Sequence, residues 1–128
     1  MIAMNTEKPC LFSIQNKLFW KLVDLYSLSH KDICFIFDIN SNEIENYYLT
    51  KKLPNSAYVN LLVGYFLNIH RCLRTIFSHN DKCVYSWMSL SRKCFDNMSA
   101  INYIVQDKKQ IQKRLCEISM RLTQELEK

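Results

Sequence analysis

Glycine and proline are scarce in this sequence of 128 residues: glycine occurs once, as Gly64, and proline occurs twice. Average usage would give roughly nine glycines and six prolines. β-Hairpins, β-sandwiches and glycine-rich phosphate loops need glycine where the backbone turns or approaches a ligand. We therefore expect nearly all of these structures to be excluded. One glycine cannot build a P-loop or a dinucleotide-binding fingerprint. With 48% apolar and 23% charged residues, we expect an all-α, soluble protein.

The sequence also lacks closely spaced metal ligands. No CxxC motif occurs, and the pairs His30/Cys34 and His79/Cys83 have no two further ligands nearby. A structural zinc site needs four ligands at characteristic spacings, so we predict no metal site. We interpret the cysteines as reduced core residues of a cytosolic protein, where a thiol behaves as a small apolar side chain. They are Cys10, Cys34, Cys72, Cys83, Cys94 and Cys116.

No catalytic constellation is visible. The three histidines have no serine, aspartate or cysteine partner at a recognisable spacing. The closest pair of carboxylates, Glu43 and Glu45, points to different sides of a helix. General acid–base catalysis needs such groups within hydrogen-bonding reach of one another or of the substrate. We therefore expect neither an enzyme nor a cofactor.

The hydrophobic pattern argues against export and membrane insertion. The opening residues MIAMNTEKPC lack a basic segment followed by an apolar run, so we expect no signal peptide. The most apolar window, residues 57–69, is too short for a bilayer core that needs about 20 residues. We expect a cytoplasmic protein without a membrane partner.

Helical periodicity predicts about seven helices in three parts, after a flexible N-terminus at residues 1–12. Residues 13–55 form a helix-turn-helix-like domain. Its first helix has an apolar stripe that includes Leu18, and its second begins at the N-cap Ser29. CFIFDI could be a buried strand, but the cap favours a helix. A third helix at residues 41–49 would follow after a three-residue turn.

Residues 56–79 form a long central linker helix, and residues 80–128 form a C-terminal helical domain. Asn80, Ser99 and Asp107 are predicted caps of the last three helices. The final helix has an apolar stripe that must pack on its own domain, on a second copy or on another protein. Because two long apolar stripes are hard to bury within one small chain, we expect a homodimer. That stripe consists of Ile111, Leu115, Ile118 and Leu122.

The order and spacing of these parts, from about Lys17 to Lys128, resemble the Xre-type antitoxins of the MbcA/ParS/Xre family. Residues 28–48 (LSHKDICFIFDINSNEIENYY) and 53–77 resemble that family's helix-turn-helix and linker helix. Residues 77–104 and the final helix resemble its toxin-binding domain, in which a Trp-bearing helix precedes a loop and a short helix opened by serine. The chain departs from the family at the turn, where Asp38 replaces the usual glycine.

The resemblance implies a bacterial type II antitoxin. Its C-terminal domain would bind a RES-type, NAD-consuming protein toxin and occlude the toxin's active site. Its N-terminal half would bind operator DNA at its own promoter. Two alternatives stay open: a stand-alone helix-turn-helix transcriptional regulator, and a structural or adaptor domain.

Candidate DNA-contacting residues lie at the start of the third helix, because that end of a recognition helix faces the base edges. The charge balance argues against DNA binding by this half. Residues 9–52 hold five lysines and five acidic residues, whereas affinity for DNA depends on neutralising its phosphates. The candidates for base contact are Ser41, Asn42, Glu45 and Asn46, and those for phosphate contact are Lys51 and Lys52.

Candidate toxin-contacting residues lie on the final helix and its tip. Residues 80–128 hold nine of the Lys and Arg residues against six acidic ones, so the basic surplus is here. The alternative is a solvated helix face without a partner. The candidates are Lys113, Arg114, Arg121, Gln124 and Lys128.

Overall fold

The computed structural model describes residues 11–127 as seven α-helices with one short two-stranded sheet, which confirms the all-α prediction. Cys10, Lys128 and most of the N-terminus predicted to be flexible lie outside the described residues, whereas the first helix already begins at Leu11. The helices are α1 (Leu11–Leu25), α2 (His30–Phe37), α3 (Ile44–Thr50), α4 (Ala57–Ile76), α5 (Asp81–Ser86), α6 (Ala100–Val105) and α7 (Ile111–Leu126), and the strands are β1 (Ser91–Arg92) and β2 (Met98–Ser99).

Side-chain caps begin four of these helices, and those at Ser29, Asn80 and Ser99 were predicted, whereas the predicted cap Asp107 accepts from the Lys109 N–H in the turn before α7. The Ser29, Ser56 and Ser99 hydroxyls accept hydrogen bonds from the third following backbone N–H at 3.0, 3.1 and 3.1 Å. The Asn80 side chain does the same for α5 at 3.3 Å. Each cap satisfies an N–H group that the first turn of a helix leaves unpaired, which accounts for the sharp helix starts.

Turns that would use glycine elsewhere use other residues here. Asp38 (φ 59°) ends α2, and its backbone N–H donates to the Cys34 carbonyl. Asp96 (φ 55°) and Asn97 (φ 64°) turn the chain between β1 and β2. The exclusion of β-hairpins is therefore wrong at this one place, because Asp and Asn visit the left-handed region more readily than other non-glycine residues.

The core is organised around α4, which packs most extensively against α7 and also against α1. The α7 stripe is 0–7% exposed, so it packs within its own domain. The long apolar stripes of α4 and α7 thus cover each other and do not themselves require a second copy, and the homodimer stays a prediction. The buried α7 residues are Ile111, Leu115, Ile118, Ser119 and Leu122, and those of α4 are Val59, Leu62, Val63, Phe66, Ile69, Cys72 and Leu73.

A polar contact aligns the two helices within this apolar interface. The Asn68 amide nitrogen on α4 donates to the Ser119 hydroxyl at 2.7 Å and to the Thr123 hydroxyl at 3.0 Å. Arg71 holds the Asn68 amide oxygen at 2.7 Å. A half-buried amide loses stability when its partners are absent, so this contact favours one axial alignment of α4 and α7.

Two aromatic residues dominate the N-terminal core. Phe19 and Trp20 on α1 are fully buried, whereas Leu18, predicted to face inward, is 47% exposed. The Phe19 ring packs edge-on against Phe37 and Phe66 with centroids 5.1 and 5.4 Å apart. The predicted α1 stripe is wrong at Leu18, whereas its members Leu22 and Tyr26 are buried. It also missed Phe19 and Trp20, because it followed the leucines rather than the larger buried area of the aromatic side chains.

The cysteines divide by position. Cys72 is buried, as predicted, and Cys34 and Cys116 are half-buried. Cys83 and Cys94 are exposed, so the core prediction is wrong for these two, which lie on α5 and in the hairpin loop. All five described thiols are free.

Within residues 11–127, every helix is too short or too polar to cross a membrane.

Gly64→Ala should stabilise the protein. Gly64 lies exposed within α4, and a Cβ atom added there would meet nothing within 4 Å. Alanine restricts the unfolded chain and favours helix, so the free energy of unfolding should rise by about 0.5–1 kcal/mol. Urea unfolding monitored by circular dichroism would measure it, with Gly64→Pro as the destabilising control. A lower midpoint for the alanine variant would contradict the open environment of this residue.

The α4–α7 packing predicts different costs for two apolar residues of α7. Ile118 is 2% exposed and Met120 is 57% exposed. Ile118→Ala should lower the free energy of unfolding by about 2–4 kcal/mol, since it leaves a cavity. Met120→Ala should change it by less than about 0.5 kcal/mol. Equal losses in denaturant titrations would refute the assignment of the inner and outer faces of α7.

Candidate functional site

The corner between α2 and α3 differs from the predicted helix-turn-helix. Residues 38–43 connect the helices, so the connection has six residues and α3 begins at Ile44 rather than Ser41. The Glu43 N–H donates to the Asn40 carbonyl at 3.0 Å, and the Asn40 amide donates to the Glu43 carboxylate at 3.3 Å. This turn delays the helix, because the Asn40 side chain, which could cap a helix beginning at Ser41, bonds to the Glu43 side chain instead.

The candidate base-contacting residues are all exposed but lie on two different elements. Ser41 and Asn42 belong to the turn, while Glu45 and Asn46 lie in the first turn of α3. A two-turn helix that begins this late presents only part of the predicted reading surface. The structure thus brings the four side chains to one corner without the continuous recognition helix that the sequence predicted.

Charge at this corner opposes binding to phosphates. The Lys51 ammonium packs 3.8 Å from the centre of the Tyr48 ring, and the Lys52 carbonyl accepts a hydrogen bond from Trp20 while its side chain is exposed. The Tyr48 hydroxyl donates to Asp24 at 3.1 Å, and this bond raises the pKa of Tyr48. Asp24 is thus joined to α3 through Tyr48, and Glu43 and Glu45 are two further exposed carboxylates at the start of that helix. Negative charge near a binding surface repels phosphate backbones.

The candidate toxin-contacting residues have different environments on α7. Arg114 is tied to α6: its guanidinium donates to the Tyr103 carbonyl at 2.6 Å and to the Gln106 side chain at 2.9 Å, and it stacks on the Tyr103 ring. Arg114 thus contributes to the packing of α6 against α7. Lys113, Arg121 and Gln124 are exposed, and Lys128 lies outside the described residues.

A groove of about 450 Å³ lies between Tyr65 of α4 and the outer face of α7, which we define as the exposed side that carries Lys113, Met120, Arg121 and Gln124. Met120 is its most exposed apolar residue, and the Cys116 thiol lies 3.8 Å from the Met120 sulfur. A hydrogen bond with Cys116 raises the pKa of Tyr65, which forms the opposite wall. The residues lining the groove are Tyr65, Lys109, Gln112, Lys113, Cys116, Glu117 and Met120.

Sequence reasoning missed the apolar part of this face. Tyr65 shares the helical spacing of the α4 core residues, so its sequence pattern predicts a core position, and no pattern singled out Met120. The i, i+4 spacing of Cys116 and Met120 is a second, narrower apolar stripe that could have revealed the groove.

Another groove, of about 530 Å³, lies between α2 and the chain at residues 105–108. The Lys108 ammonium bridges it by an ion pair of 3.0 Å with Asp38 and also lies over the Phe35 ring. Both partners of this ion pair are more than half exposed, so it contributes little to stability. Its main consequence is that Lys108 is held against α2 and is separated from the outer face of α7.

A cleft of about 350 Å³ lies between α1, α4 and α5. At one end the Tyr26 hydroxyl and His70 Nδ1 are 3.0 Å apart, and the Tyr85 ring stacks on His70. Burial, together with the nearby Arg74 cation, lowers the pKa of His70. Burial and, to a lesser extent, the Tyr85 hydroxyl raise the pKa of Tyr26, while the nearby Arg74 cation opposes them. The residues lining this cleft are Leu18, Lys21, Leu22, Leu25, Leu67, His70, Arg74 and Tyr85.

Within residues 11–127, no group of three or more His, Cys, Asp and Glu side chains is arranged to hold a metal ion. Comparisons with protein-family models, with curated proteins and with solved structures give no match. The resemblance to the MbcA/ParS/Xre antitoxins therefore stays a prediction, and the surfaces described above are the basis for a functional proposal.

The low pKa of His70 predicts a pH dependence of stability. Below about pH 6.5 the unfolded chain binds a proton at this residue that the folded protein resists. The free energy of unfolding should therefore decrease as the pH falls from 7 through the ordinary histidine pKa. His70→Gln should reduce this decrease in urea titrations at pH 7, 6 and 5. Parallel losses for the wild type and the variant would contradict the cause assigned here.

Proposed function

We propose that this chain is an antitoxin-like protein that binds a RES-type, NAD-consuming toxin through the outer face and C-terminal tip of α7. The observation that carries the proposal is the division of α7 into two faces. One face is buried against α4, and the other exposes Met120 beside cationic and polar side chains. A helix held in place by its own core loses little conformational freedom on binding, which favours affinity.

The outer face has the composition of a protein-binding surface. Lys113, Met120 and Gln124 follow one another at seven and four residues, so they project from one side of the helix. A flexible thioether adapts to an apolar pocket, and charges around it orient the partner and speed its approach. The surface therefore suits an acidic rim around an apolar hollow on the toxin.

The tip of α7 suits the interior of a site that binds NAD. Such a site must attract phosphates, so it is cationic. The C-terminal end of a helix carries partial negative charge, and Glu127 adds an exposed carboxylate there. In this proposal the tip enters the toxin's site and excludes NAD by occupying its phosphate-binding region, without any chemical step.

Operator binding is the less favoured function. The exposed polar side chains at the α2–α3 corner are compatible with base contacts. However, Glu43 and Glu45 lie among them, Asp24 is joined to α3 through Tyr48, and phosphate neutralisation supplies much of the affinity of DNA-binding proteins. A regulator acting through this corner would need cations from another part of the chain or from a partner.

Charge reversal on the outer face provides a sharper test than truncation. Deleting residues 107–128 would remove Ile111, Leu115 and Ile118 from the core, so a loss of function would report unfolding. Lys113 and Arg121 are exposed and can be changed without opening the core.

The double variant Lys113→Glu/Arg121→Glu should inhibit the toxin at least about tenfold less tightly than the wild type, since it places like charge against the acidic rim. The measurement is NAD consumption by a purified RES-type toxin, titrated with each variant, the toxin being taken from the reading frame adjacent to this chain's if that frame encodes one. Lys17→Glu/Lys31→Glu, on α1 and α2, is the matched control with the same net charge and should inhibit normally. Absence of a complex with such a toxin, or equal loss in both double variants, would refute the proposal.

A further inference from the structure

The cleft between α1, α4 and α5 has the features of a small-molecule site. Its volume of about 350 Å³ lies at the lower end of the range typical of ligand pockets, about 300–1,000 Å³. Leu22 and Leu25 of α1 and Leu67 of α4 form an apolar lining, and Leu18 stays 47% exposed at the same place. A ligand with a short apolar body would cover this surface.

Charge in the cleft is of one sign. Lys21 and Arg74 line it, and among residues 11–127 no carboxylate does. The Arg74 guanidinium is oriented by His79, whose Nδ1 lies 3.3 Å from Arg74 Nε and 3.0 Å from one terminal nitrogen. Guanidinium has five N–H donors, so donors remain for an anion after this contact. Carboxylates are the anions that such a fork binds most directly.

His70 supplies a neutral donor between the apolar and cationic parts. The Tyr26 hydroxyl and His70 Nδ1 share a hydrogen bond of 3.0 Å. In the tautomer in which Tyr26 donates, neutral His70 carries its proton on Nε2 and can donate a second hydrogen bond. The stacked Tyr85 ring, 6.2 Å from His70 between centroids, restricts the imidazole further. The ring is therefore oriented before any ligand arrives, which lowers the cost of binding.

We propose that this cleft binds a small amphipathic carboxylate, of the class of medium-chain fatty acids. The alkyl chain would lie on the leucine lining, and the carboxylate would meet Arg74, Lys21 and His70. The size of the cleft excludes a dinucleotide, and a purely apolar ligand would leave the two cations unused. This proposal is independent of the toxin-binding proposal, because α7 contributes nothing to the lining of the cleft.

Octanoate and octanamide are matched probes, since they share an alkyl chain and differ in charge. Titration of the full chain, followed by methyl and amide NMR signals, should show saturable binding of octanoate with shifts centred on Leu18, Leu22 and Leu67. Charge-assisted hydrogen bonds should make octanoate bind at least about tenfold more tightly than octanamide. No saturable octanoate binding, or equal affinity for both probes, would overturn the proposal.

Variants separate the anion contact from general effects. Arg74→Gln should weaken octanoate binding about tenfold and leave octanamide binding unchanged. Arg71→Gln is the matched control on the same helix, because Arg71 contacts Asn68 and does not line the cleft. Should Arg74→Gln fold poorly, Lys21→Gln is the second variant that removes a cation from the cleft. Leu18→Trp should block both probes by filling the apolar part. Unchanged octanoate affinity in both charge variants would refute the site.

Discussion

The packing of α4 against α7 is the contact on which the rest of the structure depends. It buries the apolar stripes of two long helices against each other and is aligned by the Asn68 amide on Ser119 and Thr123. Because α7 is anchored along its inner face, its outer face is presented as a rigid surface. Because α4 reaches α1 and α5 as well, the same helix also forms a wall of the leucine-lined cleft.

The two proposed surfaces use different sides of α4. Tyr65, Asn68 and Cys72 point toward α7, whereas Leu67 and His70 line the cleft beside α1. A 3.6-residue repeat separates these two sets around the helix axis. One surface is therefore open to substitution without direct loss of contacts at the other, and each can be assessed on its own.

Local hydrogen bonding replaces glycine throughout the fold. Helix starts depend on Ser and Asn caps, which are recognisable in sequence because a short polar side chain precedes an apolar run. Several turns instead place Asp, Asn, Ser, Lys or His at positive φ. These residues carry no such signature, since left-handed geometry at a non-glycine residue is imposed by the packing on either side of it. Hence the hairpin after Ser91 and the late start of α3 escaped prediction, while most helices were located closely.

By itself the sequence determined the all-α class, the capped starts of α2, α5 and α6, the position of α4 and the apolar stripe of α7, because caps and helical periodicity are local. Tertiary structure decided which side chains are buried and what they contact. Leu18 is exposed while Phe19 and Trp20 are buried. Arg114 binds α6, and the α7 stripe packs on α4 rather than on a second copy. It also decided which charges share a surface. The spacing of residues along one helix does not encode how whole helices fit together in three dimensions. That fit decides which apolar faces pack against each other and which side chains distant in sequence lie together.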